Sequence, residues 1–172
     1  MQINTQRQDW LVAGFAALAI SIHLLESALP SPIPGVKPGL ANLVTLYVLI
    51  RHGWRLAVNV SLLRVLAGSL LLGSFLSPTF SLSLAGALAS LTILGVVWHI
   101  PGKPVGPIGL SILAALAHMS AQIVTAYILF IPHSALFTLL PILLTVALIS
   151  GTLGGILVNR IIERVDTLAP HE

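Results

Sequence analysis

Cysteine is absent from this sequence, and charged residues are scarce. A chain with 0 Cys can form neither a disulfide nor a thiolate metal site. Charged residues make up 8% of the 172 residues, whereas a soluble domain carries roughly a quarter. The mean hydropathy is +1.02. These values exclude an ordinary soluble domain and predict an integral membrane protein.

Carboxylates are also few, and the sequence has only two aspartates, Asp9 and Asp166, near its two ends. No acidic cluster is therefore available to hold Mg²⁺ against a diphosphate. The histidines have no H-E-x-x-H or similar metal spacing, and no G-x-x-x-x-G-K-[ST] phosphate loop is present. We expect a protein that is not an enzyme, with no metal, no cofactor and no nucleic-acid partner, since its net charge is only +3.

Long apolar runs dominate the remaining sequence and predict one all-α transmembrane domain over residues 1–172. A spanning helix needs about 20 residues, and the runs lack the period-two alternation of a membrane β-barrel. Arg7 before the first run resembles the start of a signal peptide, but no clear cleavage site follows, so we interpret this run as a spanning helix. We expect six transmembrane helices at about 10–29, 39–50, 54–75, 81–100, 109–130 and 136–161, with a polar tail at 163–172.

Basic residues predict the orientation in the membrane. With six helices both termini lie on one side, and six basic residues fall on that side: Arg7, Arg51, Arg55, Lys103, Arg160 and Arg164. Only Lys37 falls on the other side. Because cytoplasmic loops carry the excess of Lys and Arg, we expect a multi-pass protein of the cell membrane with both termini in the cytoplasm.

Residues 26–46, ESALPSPIPGVKPGLANLVTL, contain four prolines and interrupt the apolar pattern. Proline fixes φ and removes a backbone donor, so a continuous helix is excluded here. We expect an ordered outer cap between helices 1 and 2, with Lys37 near the start of helix 2. Helix 2 would cover only about 18 Å, so part of the cap has to enter the membrane and be buried against protein.

Arg64 lies within helix 3, about 15 Å from the helix start by helical rise. A charge at that depth costs several kcal/mol unless it is paired or faces a polar cavity. One interpretation is a contact to an anion or carbonyl of a ligand, and the other is a structural arginine paired with a carboxylate. Glu26 is the obvious partner, although it can also simply reach the outer interface.

Other polar residues lie at similar depth on neighbouring helices. His118 and Gln122 share one face of helix 5, and Asn42 and Thr45 share one face of helix 2. His23 precedes Glu26 on helix 1. These side chains predict a pocket beneath the cap, whereas interhelical hydrogen bonding is the simpler alternative.

Small residues predict close helix packing in two places. Ala13 and Ala17 lie one turn apart on helix 1, and Gly151 and Gly155 lie one turn apart on helix 6. Such pairs let helices approach closely, within the bundle or with a partner. For helix 6 we favour packing within the bundle.

The run PGVKPGLANLVTL at 34–46, Arg64 on the third helix and HMSAQ at 118–122 resemble the hallmarks of the Gx transporter family, also labelled heptaprenyl diphosphate synthase component I. Met119 stands where Asn is common in that family. The family is similar to the substrate-binding S-components of energy-coupling-factor importers. The resemblance implies six helices, cytoplasmic termini, an outer ligand pocket with the first loop as its lid, and an Ala-x-x-x-Ala surface for a transmembrane coupling subunit. Ala13 and Ala17 fit that surface.

We therefore expect a substrate-binding subunit of such an importer, with coupling and ATPase subunits as partners in the lipid bilayer. Its substrate would be a small vitamin-like metabolite of the flavin or quinone-precursor class. The predicted substrate-binding residues are Arg64, His118, Gln122, Asn42 and Glu26, with Lys37 in the lid. Two alternatives stay open: a non-catalytic accessory subunit in isoprenoid or quinone biosynthesis, and a structural subunit of a redox complex.

Overall fold

The computed structural model describes the backbone of residues 2–28, 40–102 and 105–168, and the side chains of 9–25, 42–102 and 105–168. Within these ranges the chain is helical and contains no strand. The elements are α1 (Gln2–Ala28), α2 (Leu40–His52), α3 (Trp54–Leu71), α4 (Pro78–His99), α5 (Pro107–Leu129), a 3₁₀ helix (Ser134–Leu139) and α6 (Leu140–Leu168). The predicted all-α membrane bundle with six helices is confirmed.

Among the described residues, four helical stretches are long and apolar enough to cross a membrane: Trp54–Leu71, Pro78–His99, Pro107–Leu129 and Ser134–Leu168. The apolar part of α1, Asp9–Leu25, is shorter. Helix α2 has 13 residues and therefore spans about 20 Å, less than the thickness of a bilayer core. The short second helix expected from the sequence is thus present.

Several boundaries of the first helices differ from the approximate membrane spans expected from the sequence. Helix α1 begins at Gln2 rather than at residue 10, because no Gly or Pro interrupts the polar residues before the apolar run. Helix α3 ends at Leu71 rather than at residue 75, and Gly73 follows with φ +64°. Helix α4 begins at Pro78, earlier than predicted, because Ser77 caps it: the Phe80 N–H donates to Ser77 Oγ at 3.3 Å.

The last helix also differs from its predicted range. A 3₁₀ helix precedes α6, and α6 continues to Leu168 instead of ending at residue 161 in a polar tail. Pro141 lies in the first turn of α6, where the missing N–H has no intrahelical acceptor. In this polar end, Asn159 Nδ2 donates to Glu163 Oε1 one turn later at 2.7 Å, and such a pair stabilises a helix by about 0.2–0.5 kcal/mol. Arg51 of α2 donates to Asp166 of α6.

Short connections make consecutive helices from α2 to α6 run in opposite directions. Gly53 alone separates α2 from α3, and its φ of +90° is the left-handed conformation that glycine tolerates. The Trp54 ring meets the His99 ring edge-on with centroids 6.1 Å apart, so α3 begins where α4 ends. We call this the Arg51 end of the bundle. The described residues Arg51, Arg55, Arg160 and Arg164 all lie in helix segments at this end.

Helices α2 to α6 form a ring, in which each helix packs on the next and α6 packs on α2. Helix α1 packs outside the ring against α2 and α3. The Arg51 end is filled by an apolar core that includes Val48, Leu49, Val60 and Val158, each fully buried. The buried polar residues Thr45, Arg64 and Ser69 lie beyond this core, toward the other end.

Gly151 and Gly155 bring α6 against the backbone of α5. A Cβ at Gly155 would lie 2.5 Å from Ile108 Cα, and one at Gly151 would lie 3.0 Å from Ile112 Cα. The distance at Gly155 is too short for any Cβ and the distance at Gly151 is tighter than most Cβ contacts, so the glycines allow the helices to touch directly. The predicted packing of helix 6 within the bundle is confirmed.

Candidate functional site

A cavity of about 380 Å³ runs lengthwise inside the helix ring. It extends from Ser111, near the start of α5, to Ser74 in the connection between α3 and α4. This volume lies within the range of small-molecule sites, roughly 300–1,000 Å³. Its polar lining comes from five helices of the ring and from α1: His23, Asn42, Thr45, Ser61, Arg64, Ser69, Ser83, Ser90, Ser111, His118, Gln122 and Ser150.

Arg64 is the one Lys, Arg, Asp or Glu side chain among the described residues that line the cavity. It is 6% exposed and lies on the face of α3 that also carries the buried residues Ser61 and Val65. Its guanidinium is close enough to the His118 ring to interact with it electrostatically. The arginine thus places five hydrogen-bond donors and a positive charge at a buried wall of the cavity.

The His118 ring occupies a recess that exists because Gly86 has no side chain. A Cβ at Gly86 would lie 2.6 Å from His118 Cε1 and 2.7 Å from both ring nitrogens. Helix α5 therefore positions the imidazole directly on the backbone of α4. The sequence analysis did not single out Gly86, because a glycine inside an apolar helix carries no sign of what packs on it.

His23 on α1 uses a similar arrangement at a second helix contact. A Cβ at Gly68 of α3 would lie 3.0 Å from His23 Cδ2. His23 also lines the cavity, although α1 packs outside the ring. The imidazoles of His118 and His23 thus each reach the cavity by packing on a glycine of a neighbouring helix.

Thr45 brings a hydroxyl into the cavity from α2. The residue is 4% exposed, and Oγ1 has no hydrogen-bond partner among the described residues. Leaving a buried hydroxyl without a partner costs about 1–3 kcal/mol. A polar group that arrives with a ligand would recover this cost, which makes Thr45 a marker of a binding site rather than of packing. Asn42 lies one turn away on the same face.

Several serine hydroxyls of the cavity are already committed as donors to backbone carbonyls. Ser69 Oγ donates to Leu66 O at 2.8 Å, Ser90 Oγ to Ala114 O at 2.9 Å, and Ser150 Oγ to Ala147 O at 3.2 Å. The bonds of Ser69 and Ser150 are local, as is usual for Ser in a helix, whereas Ser90 of α4 bonds to α5. Sequence analysis missed these serines because Ser in a membrane helix is common. Asn42 and Gln122 bring two side-chain amides to the same cavity.

Four of the six residues predicted for the substrate site line this one cavity: Arg64, His118, Gln122 and Asn42. The Glu26 side chain and Lys37, with the proline-rich cap, lie outside the described residues. Ala13 and Ala17 lie elsewhere, exposed on the outer face of α1, while Ala16 and Ala19 on its other side are buried. The structure therefore separates the predicted pocket from the predicted docking surface.

A family model described as heptaprenyl diphosphate synthase component I matches residues 15–161 of the chain. The matched range extends from α1 into α6 and includes every described residue that lines the cavity. No curated protein and no solved structure is matched.

Proposed function

The chain belongs to the heptaprenyl diphosphate synthase component I family, and from this premise we propose that it is a membrane subunit that binds a small molecule inside its helix ring. The observation that carries the proposal is the cavity itself, in which Arg64 and an unsatisfied Thr45 hydroxyl are buried together. A charged residue inside a membrane bundle faces the bundle interior or a cavity and by default marks a functional site.

We further propose that this subunit belongs to an importer of the energy-coupling-factor type. Its cargo would be a small vitamin-like metabolite, of the flavin or quinone-precursor class, bound by Arg64, His118, Gln122 and Asn42. Glu26 would complete the site, and Lys37 would lie in a lid over it. With the basic Arg51 end in the cytoplasm, the end of the cavity at Ser74 faces outward, the direction from which cargo arrives.

The family name supports a second candidate, since it describes one component of a prenyl diphosphate synthase. In that case the chain is an accessory subunit that presents a lipid-soluble substrate to a soluble enzyme. The chain itself would carry no catalytic centre in either role, because its only aspartates are Asp9 and Asp166. Chain-elongating prenyl transfer needs clustered acidic residues that hold Mg²⁺ on the diphosphate.

Mass spectrometry of small molecules released from the purified protein tests the proposed binding role. We expect a metabolite to be released from the wild type and lost in Arg64→Ala, because the variant removes the charged donor from the cavity. Arg55→Ala is the matched control: Arg55 lies on the same helix but is exposed and does not line the cavity.

The comparison requires that Arg64→Ala and Arg55→Ala both insert into the membrane and unfold cooperatively. If Arg64→Ala retains the same molecule at the same occupancy, Arg64 is not a binding residue of the site. If the wild-type protein releases only bulk membrane phospholipid, the proposed binding role is wrong. A polar metabolite favours the importer, and a prenyl compound favours the accessory subunit.

A further inference from the structure

We infer that the end of the cavity next to the apolar core binds an uncharged, polyhydroxylated part of the ligand, of the polyol or sugar type, on the hydroxyls of Thr45, Ser61 and Ser111. We call these three side chains the floor hydroxyls. This inference rests on the proposed binding role of the cavity and adds the chemical class of its ligand. The Arg64 guanidinium is not counted among the open groups, because it already has an interaction partner.

The apolar core of the Arg51 end forms the floor of the cavity. Leu46 of α2 and Leu94 of α4 belong to this core and also line the cavity. The floor hydroxyls lie at the edge of the core, since each is next in sequence to one of its residues: Leu46, Val60 and Leu110 respectively. They come from α2, α3 and α5, so three helices of the ring each bring a hydroxyl to this end of the cavity.

The floor hydroxyls are buried, and their hydrogen-bonding capacity is unused. Thr45, Ser61 and Ser111 are 4%, 2% and 9% exposed. Thr45 Oγ1 is shielded from solvent without a hydrogen-bond partner, and no side-chain hydrogen bond joins Ser61 or Ser111 to another described residue. Because a buried hydroxyl without a partner loses the bonds that water gave it before folding, partners for these groups have to be supplied from the cavity.

Threonines elsewhere in the bundle make the local bond that Thr45 lacks. Thr92, Thr145 and Thr152 each donate to the backbone carbonyl four residues earlier, at 2.8 Å. This bond is the usual way for a threonine within a helix to satisfy its hydroxyl. Thr45 also lies within a helix but does not make the bond, which leaves its hydroxyl for a ligand in the cavity that it lines.

The chemistry of the floor favours a neutral group that both donates and accepts hydrogen bonds. A hydroxyl can do both, whereas an anion would pair only with the hydrogens of the floor hydroxyls and a cation only with their oxygens. Asn42, one turn from Thr45 on α2, adds an amide with the same two capacities. Burying a charge among neutral groups also costs more than burying a neutral group. A chain with several hydroxyl groups is therefore the best match to this end of the cavity.

Gly154 of α6 keeps the Ser111 hydroxyl uncovered on one side. A Cβ at Gly154 would lie 3.3 Å from Ser111 Oγ and 2.7 Å from Leu43 Cδ2. A side chain at this position would therefore crowd the hydroxyl from α6. Its absence leaves room beside Ser111, at the crossing of α5 and α6.

Equilibrium dialysis with the full chain in lipid nanodiscs tests this inference. The radiolabelled probes have equal chain length: ribitol is an uncharged polyol, and pentanoate is an anion without hydroxyls. We expect saturable binding of ribitol that weakens about tenfold, or by ~1.4 kcal/mol, in Thr45→Val with Ser61→Ala, which loses two hydrogen bonds. The matched control is Ser81→Ala with Thr92→Val, which should bind like the wild type because these hydroxyls donate to backbone carbonyls outside the cavity.

Thermal unfolding of the ligand-free protein supplies a second readout that needs no probe. Removing buried hydroxyls that have no partner should raise the unfolding midpoint, so Thr45→Val with Ser61→Ala should be more stable than the wild type although it binds less. Thr45→Ser keeps the hydroxyl and should keep ribitol binding. A lower midpoint for Thr45→Val with Ser61→Ala shows that the hydroxyls serve packing, and this result overturns the inference.

Three binding results also overturn the inference: no binding of ribitol, equal ribitol binding by Thr45→Val with Ser61→Ala and by its control, or binding of pentanoate or Na⁺ that depends on the floor hydroxyls while ribitol binding does not. The metabolite released from the wild type separates this inference from the proposed function. A metabolite without neighbouring hydroxyls that is lost in Arg64→Ala but retained without the floor hydroxyls overturns the polyol assignment and leaves the binding role intact. Release of no metabolite, together with failure of ribitol to bind, overturns both.

Discussion

The position of the His118 imidazole depends on the absence of a side chain at Gly86. Its ring atoms lie 2.6–2.7 Å from where a Cβ on Gly86 would be. A real Cβ never approaches a ring so closely, so any residue other than glycine at position 86 has to displace the ring or separate α4 from α5. The position of His118 is thus set by its neighbour on α4.

We predict that Gly86→Ala lowers ligand retention and costs about 1–3 kcal/mol of stability, the usual range for overpacking. A double-mutant cycle with His118→Ala identifies the cause. Removing the ring removes the clash, so Gly86→Ala should cost much less in the His118→Ala background, with a coupling energy of about 0.5–3 kcal/mol. Thermal unfolding in detergent measures all four proteins. Equal costs in both backgrounds would show that the ring is not what position 86 accommodates.

At the scale of helices, the contact between α5 and α6 is made by backbone rather than by interlocking side chains. Gly155 faces Ile108 Cα, and Gly151 faces Ile112 Cα and Ala115 Cβ. Between membrane helices there is little hydrophobic driving force, so close van der Waals contact supplies much of the association. The glycine face of α6 is therefore a stability element, and it also closes one side of the cavity.

We predict that Gly155→Ala destabilises the protein by about 1–3 kcal/mol, because its Cβ meets backbone that cannot rotate away. Gly14→Ala is the matched control, since a Cβ there has nothing within 4 Å and alanine is otherwise the better helix former. The midpoint of thermal unfolding should fall for Gly155→Ala and stay level or rise for Gly14→Ala. A similar midpoint for both variants would contradict direct contact between α5 and α6.

At the scale of the whole molecule, α1 stands outside the ring and keeps one face uncovered. Trp10 is 79% exposed, and Ala13, Gly14 and Ala17 are exposed along the same side. The opposite side of α1 packs on α2 and α3 through Ala16 and Ala19. The proposed importer needs an outward surface for a coupling subunit, and this small-residue face permits close approach of another helix.

We predict that Ala13→Leu with Ala17→Leu abolishes co-purification with the coupling and ATPase subunits while ligand retention and folding are unchanged. Folding should be preserved because both positions are exposed and lie outside the cavity. Thr92→Leu, at an exposed position on α4, serves as the control and should co-purify like the wild type. If Ala13→Leu with Ala17→Leu co-purifies with the partner subunits as well as the wild type does, this face is excluded as the docking surface.

Much of this architecture is contained in composition and spacing. Scarce charge and long apolar runs are sufficient for an all-helical membrane bundle, because no other backbone arrangement with such runs satisfies its hydrogen bonds in lipid. Helical rise placed Arg64 and His118 at one depth, and the structure brings them to one cavity. Boundaries were less predictable, since the start of α4 depends on a local hydrogen bond to Ser77 and α6 continues to Leu168 beyond its apolar run.

Periodicity gives depth and face along one helix, but it contains no distances between helices. Those distances depend on where a helix lacks a side chain at a crossing. Three glycines show this, because each receives a side chain from a neighbouring helix, and the sequence does not indicate which one. The pairs are Gly68 with His23, Gly86 with His118 and Gly154 with Leu43. The same holds for Leu153 and Leu157, which line the cavity and are also exposed, since a leucine in a membrane helix is apolar whether it faces lipid, protein or a cavity. Burial and cavity are properties of the assembled ring, because each arises where faces of separate helices fail to fill the space between them.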